Sequence, residues 1–233
     1  MQNSVIDQSS LPLYLFAKAP VPGNVKTRLQ PRLGSEGCAA LAVQMLYQSI
    51  KKIANHWPGK FVLCVTPDQE NPHFMSLSDH YRCEVIRQSG SNLGDRILGA
   101  LGHGIAESGA AVVMGCDVPQ ITGRVIADAW EHMQQGENIV GPTFDGGFYL
   151  LGLHALRQEI FEGIEWGEDT VMDQLQRQTE QIGVSIRRLA ILRDIDRWED
   201  LKWLAAHDSR YAKYVNANPG TANLEPNPVS FSD

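Results

Sequence analysis

The chain alternates short apolar runs with longer segments whose apolar residues recur every three or four positions. A short continuous apolar run is typical of a parallel strand that is covered on both faces. Such runs predict strands at 11–16, 61–65, 110–114 and 139–142, and weaker patterns predict strands at 83–88 and 184–189. A further apolar run follows at 148–153, so strand-like segments extend over most of the chain.

The longer segments carry helical signals. The first has apolar residues at the spacing expected of a helix that packs on a sheet, at Ala40, Val43, Leu46, Tyr47 and Ile50. Ser35 is a favourable N-cap for this helix, which we predict over 36–54. Thr122 caps a second helix in the same way. The other predicted helices are 72–79, 95–107, 123–135, 169–181 and 198–206.

Strands that alternate with helices predict an α/β layered fold with a largely parallel sheet. We see neither an internal repeat nor a linker that would divide the chain, so we predict one domain over 11–215. Residues 1–10 are polar and are predicted to be loose. The stretch 216–233 is rich in Asn, Pro, Gly and Ser, which predicts a disordered tail.

The loop after the first strand concentrates positive charge on a restrained backbone. Two prolines stiffen it, and Gly23 permits a conformation or a close approach that a side chain would forbid. Lys18, Lys26 and Arg28 supply three cations, and no acid lies between them. At the end of a first parallel strand, such a loop suits the phosphates of a nucleotide. The alternative is a stiff surface loop with solvated charges.

The same loop ends in Lys26-Thr27 and so imitates a P-loop. A P-loop requires a glycine directly before the lysine, whereas Asn24 and Val25 separate Gly23 from Lys26. The sequence therefore does not predict a kinase or an ATPase from this motif.

Asp117 directly follows the apolar strand 110–114, and Pro119 prevents easy continuation of that strand. A carboxylate at the carboxyl end of a parallel strand suits Mg²⁺ or Mn²⁺, which favour oxygen ligands and substrate phosphates. The alternative is that Asp117 caps a turn, which is a frequent role of aspartate.

Asp145, Gly146 and Gly147 lie between two apolar runs. Asp-Gly-Gly is a common hairpin turn. The two glycines equally permit the backbone to pass close to a ligand that Asp145 faces. The pattern leaves both interpretations open.

Composition narrows the class of protein. A formal net charge of −7 argues against broad nucleic-acid binding, which needs a basic face. No apolar run approaches the ~20 residues that span a bilayer. The four cysteines are scattered without a CxxC pair, and residues 1–7 lack signal-peptide features, so we expect a cytoplasmic protein. An apolar patch on such a protein could cover a homodimer interface.

Several motifs together resemble a known family. They are FAKAPVPGxVKTRL, NLGxR, GxDxP, GPxxDGGFYLLGL and DxDxxEDL, and they extend from about Leu13 to Leu204. This combination is similar to bacterial glycosyltransferase-like proteins described as nucleotide-diphospho-sugar transferase-related, some of which are labelled arsenosugar-biosynthesis glycosyltransferases. The family belongs to the GT-A superfamily, whose wider members include molybdenum-cofactor nucleotidyltransferases and phospholactate guanylyltransferase. The resemblance implies a GT-A-like three-layer α/β/α sandwich.

The resemblance also implies roles for individual residues. Lys18, Gly23, Lys26 and Arg28 would contact the nucleotide phosphates, while Asn92, Leu93, Gly94 and Arg96 would lie near the base and ribose. Asp117 would bind the metal, and Asp196 resembles a second, late metal ligand of sugar nucleotidyltransferases. Two positions depart from the pattern of relatives, with Arg197-Trp198 in place of Thr-Pro and Gly167-Glu168 in place of Ser-Thr.

Three hypotheses follow for the function. The first is glycosyl transfer from a nucleotide-diphospho-sugar to a small acceptor. A metal bound to Asp117 would stabilise the negative charge of the leaving group. Asp145 would be the base, and Glu168 or Asp169 are the alternatives. The second is nucleotidyl transfer from a nucleoside triphosphate to a phosphorylated small molecule, with release of pyrophosphate. The third is a nucleotide-binding module without catalysis.

Overall fold

The computed structural model describes residues 11–216 as a seven-stranded sheet with helices on both faces. The strands lie in the order β3-β2-β1-β4-β6-β5-β7. They are β1 Leu13–Lys18, β2 Phe61–Thr66, β3 Glu84–Arg87, β4 Ala111–Gly115, β5 Asn138–Pro142, β6 Phe148–Leu153 and β7 Ile186–Arg188. Only β6 runs antiparallel to its neighbours among the described strands, which confirms the mostly parallel sheet.

The seven described α-helices are α1 Gln30–His56, α2 Pro72–Tyr81, α3 Leu93–Ser108, α4 Gly123–Gln134, α5 Val171–Gln181, α6 Trp198–His207 and α7 Ala212–Asn216. Five of them, α2 to α6, begin and end within two residues of the predicted segments. The Thr122 side chain accepts a hydrogen bond from the Val125 N–H, as expected of the predicted N-cap. None of the helices within residues 11–216 is long and apolar enough to cross a membrane.

Helix α1 begins six residues before its predicted start at residue 36. Gly34 interrupts it with φ 68° and ψ 173°, so the regular part of the helix does begin near Ser35. A positive φ favours glycine, which explains why the chain can change direction between two helical segments at this residue. The kink lies one residue before the predicted N-cap Ser35, and the turns that precede it reach back to Gln30.

Helix α7 was not predicted, and it contradicts the predicted tail at one position. Asn216 is the last residue of α7 rather than the first residue of a tail. The rest of that tail, 217–233, and the predicted loose stretch 1–10 lie outside the described residues.

The core has three parts. One face of the sheet packs against α1, α2 and α4 through residues such as Leu46, Phe74 and Ile126. The other packs against α3 and α5 through Leu101 and Leu175. These two layers with the sheet between them are the predicted three-layer sandwich. A third cluster joins the start of α1 to the C-terminal helices, and it contains Leu29, Leu33, Cys38, Leu41, Leu201, Leu204, Tyr211 and Tyr214.

Candidate active site

A cavity of about 1090 Å³ opens at the carboxyl ends of the parallel strands. In sheets of this type, ligands bind at this edge because the loops after the strands converge there. Its wall contains ten of the thirteen residues that the sequence nominated, counting the alternatives: Lys18, Lys26, Arg28, Leu93, Arg96, Asp117, Asp145, Glu168, Asp169 and Asp196. The topology thus brings together residues from segments far apart in the chain.

Lys26 is the most constrained cation of the loop between β1 and α1, residues 18–29, which we call the opening loop. Its backbone lies in the left-handed region, at φ 48°, which turns its side chain inward before a short 3-10 helix, Thr27–Leu29. The side chain is only 7% exposed, and its Nζ lies 2.8 Å from Asp117 Oδ1. The same Nζ donates to the Ile195 carbonyl at 2.8 Å. A buried ammonium is tolerated here because it has a carboxylate and a carbonyl as partners.

The ion pair also decides the protonation of Lys26. Burial by itself would lower the pKa of this ammonium, but the charge and hydrogen bond of Asp117 more than offset that effect. The pKa of Lys26 is therefore raised, so the side chain is a fixed positive charge at neutral pH.

Further contacts tie three segments into one frame. Arg28 forms an ion pair with Asp196. The Ile195 N–H donates to the Asp117 carbonyl at 2.9 Å, which joins the end of β4 to the segment before α6. Lys18 lies in the wall with its side chain exposed, so it is available to a ligand. Lys26 and Arg28 therefore each contact an acid of the predicted site within the wall of a single cavity.

The other three nominated residues, Gly23, Asn92 and Gly94, lie outside the cavity wall formed by the described residues. Gly23 adopts φ 87°, and a Cβ at this position would meet no atom within 4 Å, so the glycine serves the turn of the loop. Asn92 caps α3, since its side chain accepts from the Asp95 N–H at 3.0 Å. Gly94 leaves room for Trp166, because a Cβ there would lie 2.3 Å from the indole nitrogen.

Arg96, one turn further along α3, does reach the cavity, and its Nε donates to the Gly90 carbonyl at 3.2 Å. Leu93 also lines the wall, with its side chain exposed. The segment 92–96 thus combines a helix cap and a packing contact with two residues that a ligand can touch.

Asp145 lies in the tight hairpin between β5 and β6. Its Oδ1 accepts from the Thr143 hydroxyl at 2.5 Å and from the Gly147 N–H at 3.1 Å. Gly146 has φ 88°, and a Cβ there would lie 1.7 Å from the Asp169 carbonyl oxygen. The hairpin turn is therefore observed, and Gly146 is a site of close approach to the backbone of this chain; the ligand-facing role of Asp145 stays a prediction.

Asp194 was not nominated from the sequence, yet it lines the cavity. Burial raises its pKa to about 6, and the nearby carboxylate of Asp145 contributes in the same direction. The signal available in the sequence was the repeated acid in Asp194-Ile195-Asp196, of which the resemblance selected only Asp196.

Arg193 and Phe144 form a second part of the wall that sequence reasoning missed. The guanidinium of Arg193 lies 5.5 Å from the centre of the Phe144 ring and 5.3 Å from that of Trp203. Its Nη1 also pairs with Asp200 Oδ1 at 2.9 Å. Phe144 remains 61% exposed, so it offers an apolar surface at the edge of the cavity.

Cys116 lies beside Asp117, but its chemistry is unfavourable for attack on a substrate. Burial raises the pKa of its thiol to about 12, with a further contribution from the Asp117 carboxylate. A thiol that stays protonated is a weak nucleophile.

The donor chemistry suits a hard cation at one place in the cavity. Lys26 Nζ already holds the position of a cation between a carboxylate oxygen of Asp117 and the Ile195 carbonyl. Oxygen donors of these kinds are those that Mg²⁺ and Mn²⁺ prefer. Within residues 11–216, however, no three His, Cys, Asp or Glu side chains are already gathered as a metal site.

Residues 49–168 match the family described as "Uncharacterized protein conserved in bacteria (DUF2064)". The match covers more than half of the 233 residues. This chain belongs to the DUF2064 family. Within this DUF2064 protein, the matched region contains Asp117, Asp145 and Arg96, but the opening loop and Asp196 lie outside it. No curated protein matches the sequence significantly.

Solved structures extend the comparison to nearly the whole described chain. One similar structure is a provisionally named nucleotide-diphospho-sugar transferase from Desulfovibrio desulfuricans G20. The two chains are 25% identical and superpose with a TM-score of 0.78, over 88% of this chain and 93% of the other. The 4-diphosphocytidyl-2C-methyl-D-erythritol synthase of Anaerococcus prevotii DSM 20548 is 9% identical with a TM-score of 0.58, over 88% and 99% of the two chains.

A nucleotidyl transferase from Methanothermobacter thermautotrophicus is 12% identical with a TM-score of 0.55, over 86% and 98% of the two chains. At such low identities the last two show only a shared fold. Together the comparisons confirm the predicted family relationship and the GT-A-like fold of this DUF2064 protein.

Proposed function

We propose that this protein is a metal-dependent transferase that moves a glycosyl group from a nucleotide-diphospho-sugar to a small acceptor. The observation that carries the proposal is the convergence of Lys18, Lys26 and Arg28 with Asp117 in one cavity at the carboxyl edge of the sheet. The likeness to a provisionally named nucleotide-diphospho-sugar transferase over most of both chains supports the choice of substrate.

The cations of the opening loop would stabilise the leaving group. When the bond between the anomeric carbon and the β-phosphate oxygen breaks, negative charge grows on that phosphate. Lys26 is held in place by Asp117 and Ile195 before any ligand arrives, so little reorganisation is needed to place its charge. Arg28 and Lys18 are more exposed and can close on the diphosphate from the solvent side.

Asp117 and Asp196 would hold a divalent cation, Mg²⁺ or Mn²⁺. When bound, such a cation supplies charge stabilisation at the diphosphate. Both carboxylates pair with basic residues, Asp117 with Lys26 and Asp196 with Arg28, so each would have to share or exchange its partner. The side chain of Asp117 is 56% exposed, which leaves its second oxygen open to a ligand.

Asp145 would accept the proton of the acceptor hydroxyl as a new bond forms from that oxygen to the anomeric carbon. The two hydrogen bonds from Thr143 and Gly147 fix one carboxylate oxygen and leave the other free. Glu168 and Asp169 also line the cavity and are the alternatives for this role. The free nucleoside diphosphate would be the second product.

Nucleotidyl transfer is the second candidate. The concentration of three cations in one loop favours it, because a triphosphate carries more charge than a sugar nucleotide and its pyrophosphate must be neutralised as it leaves. In this reaction a phosphate oxygen of the co-substrate attacks the α-phosphate, so a carboxylate base is not required.

A thermal-shift screen of nucleotides with and without Mg²⁺ or Mn²⁺ is the first test, since a ligand of the folded state raises its melting temperature. We expect stabilisation by a nucleoside diphosphate or a sugar nucleotide that depends on the metal and is lost in Asp117→Ala. Asp128→Ala is the matched control, because Asp128 is an acid on the exposed face of α4 outside the cavity.

Product analysis then separates the candidates. Release of a nucleoside diphosphate from a sugar-nucleotide panel supports glycosyl transfer, and release of pyrophosphate from a triphosphate supports nucleotidyl transfer. Nucleotide binding without any turnover would indicate a non-catalytic module, and the lack of any nucleotide response would contradict the proposal.

A further inference from the structure

A second cavity, of about 680 Å³, lies at the opposite edge of the sheet. Three turns surround it, at 136–138, 154–157 and 183–185, together with the start of β7. We call it the arginine pocket, after Arg157, Arg187 and Arg188 in its wall. Because β5 runs from this pocket to the active-site cavity over five residues, the two sites are separated by about 16 Å.

Hydrogen bonds of the Asn138 side chain connect the segments that form the floor of the arginine pocket. The Asn138 side chain accepts from the His154 N–H at 3.0 Å and donates to the Ser185 carbonyl at 3.1 Å. One amide therefore connects the start of β5, the end of β6 and the segment before β7. Such a connection keeps the concave shape in place without a ligand, which is the usual condition of a binding site.

The acid in the wall is already neutralised. Both oxygens of Glu137 accept hydrogen bonds from Arg187, at 2.6 and 2.8 Å. His132 Nδ1 lies 2.8 Å from the same carboxylate. Glu137 is therefore occupied within the protein and offers little repulsion to an anion.

The other two guanidinium groups have no acid partner. Arg157 makes no side-chain hydrogen bond or ion pair with the described residues. Arg188 donates to the neutral side-chain amide of Gln176, which in turn donates to Glu180 at 2.7 Å. Burial lowers the pKa of His154, so this side chain adds no positive charge at neutral pH. Three arginines and one glutamate thus leave two positive charges in a chain of net charge −7.

From this arrangement we infer that the arginine pocket binds a small oxyanion with two or more negative charges. Guanidinium groups recognise phosphate and carboxylate by paired hydrogen bonds, and two uncompensated groups match a multiply charged ligand. Pyrophosphate and citrate share this chemistry and serve as probes of its two forms. The inference does not depend on the reaction proposed for the main cavity.

Isothermal titration with each probe tests the inference at moderate ionic strength. The background variant is Lys18→Gln/Arg28→Gln, which removes two exposed cations of the main cavity so that its own affinity for phosphates does not obscure the result. In this background we expect one site for at least one probe. Adding Arg157→Gln/Arg188→Gln should weaken its binding roughly 100-fold, because two charge-assisted contacts are lost.

The matched control is Lys60→Gln/Arg124→Gln, which removes two exposed cations that lie in neither cavity. Retained binding in this control, together with loss in the pocket variant, supports the inference. The inference is overturned if neither probe binds to the background variant. It is also overturned if the Arg157→Gln/Arg188→Gln change weakens binding no more than the control change does. Equal melting temperatures of the variants would exclude unfolding as the cause of a loss.

Discussion

At the scale of single residues, the pair formed by Lys26 and Asp117 is the contact on which the candidate site depends. Asp117→Asn removes the charge that compensates a buried ammonium, although the Ile195 carbonyl remains as a partner. Because Asp117 is itself 56% exposed, we expect a loss of only about 1–2 kcal/mol in the free energy of unfolding. Urea denaturation at pH 7 measures it.

Asp128→Asn is the control for this change, since the Arg124–Asp128 pair lies on the exposed face of α4 with atoms 3.8 Å apart. It should cost less than about 0.5 kcal/mol. Equal losses in the two variants would contradict the importance of the Lys26 contact.

The raised pKa of Asp194 predicts that the free energy of unfolding depends on pH. Its pKa is about 6 in the folded protein, mainly through burial and then through Asp145, with Asp200 raising it further and Lys26 lowering it. The unfolded value is about 3.9. At a pH between these two values, Asp194 keeps its proton in the folded state but has lost it in the unfolded state. The free energy of unfolding therefore falls as the pH rises through this range.

Asp194→Asn cannot ionise, so we expect this variant to be more stable than the natural protein at pH 8. The gain should be about 1–2 kcal/mol, less than the full pKa difference would give, because the group is partly solvated. The difference should vanish below about pH 4. Melting temperatures across this range test the prediction, and a gain that persists at low pH would exclude ionisation as its cause.

At the scale of elements, the hairpin between β5 and β6 depends on Gly146. Its φ of 88° is unfavourable for a side chain, and a Cβ would lie 1.7 Å from the Asp169 carbonyl oxygen. Gly146→Ala should therefore cost more than about 3 kcal/mol in the free energy of unfolding, by adding a backbone collision to the conformational strain.

Gly109→Ala separates these two causes. Gly109 has φ 75°, but a Cβ there would meet no atom within 4 Å, so only strain of about 1 kcal/mol is expected. Chemical denaturation of both variants is the measurement. Similar losses would mean that the hairpin moves away from Asp169 without cost.

The elements also show what the pattern of apolar residues can predict. Continuous apolar runs predicted the ends of β2 and β4 to within one residue, because burial on both faces of a strand makes its sequence apolar throughout. The pattern could not predict that β6 runs antiparallel, since an apolar run has no direction. Short pieces such as α7 were missed because their stability comes from packing on α1 rather than from their own sequence.

The same limit applies to the candidate site. Strand ends placed Asp117 and the opening loop at one edge of the sheet, so their meeting was predictable from topology. The environment of Asp194 was not, because its burial and its proximity to Asp145 arise only in the folded chain. Asn92 could have been identified as a helix cap from its position before Asp95, a local signal that the family resemblance displaced.

At the scale of the whole molecule, the C-terminal helices pack against the start of α1. The cluster of Leu29, Leu41, Tyr211 and Tyr214 joins α6 and α7 to the first turns of α1, directly after the opening loop. The opening loop is therefore followed directly by turns that pack against the C-terminal helices. We expect the protein to unfold as one cooperative unit rather than in separate parts.

Tyr214 tests this expectation because its side chain is fully buried and its hydroxyl donates to Gln44 Oε1 at 3.0 Å. Tyr214→Ala should cost about 3–5 kcal/mol, whereas Tyr214→Phe should cost about 1 kcal/mol for the lost hydrogen bond. In Tyr214→Ala, hydrogen exchange measured by mass spectrometry should be faster than in the natural protein, not only in α6 but also in α1, β1 and β4. Faster exchange confined to α6 and α7 would contradict a single unit and would mean that the opening loop keeps its structure without the C-terminal helices.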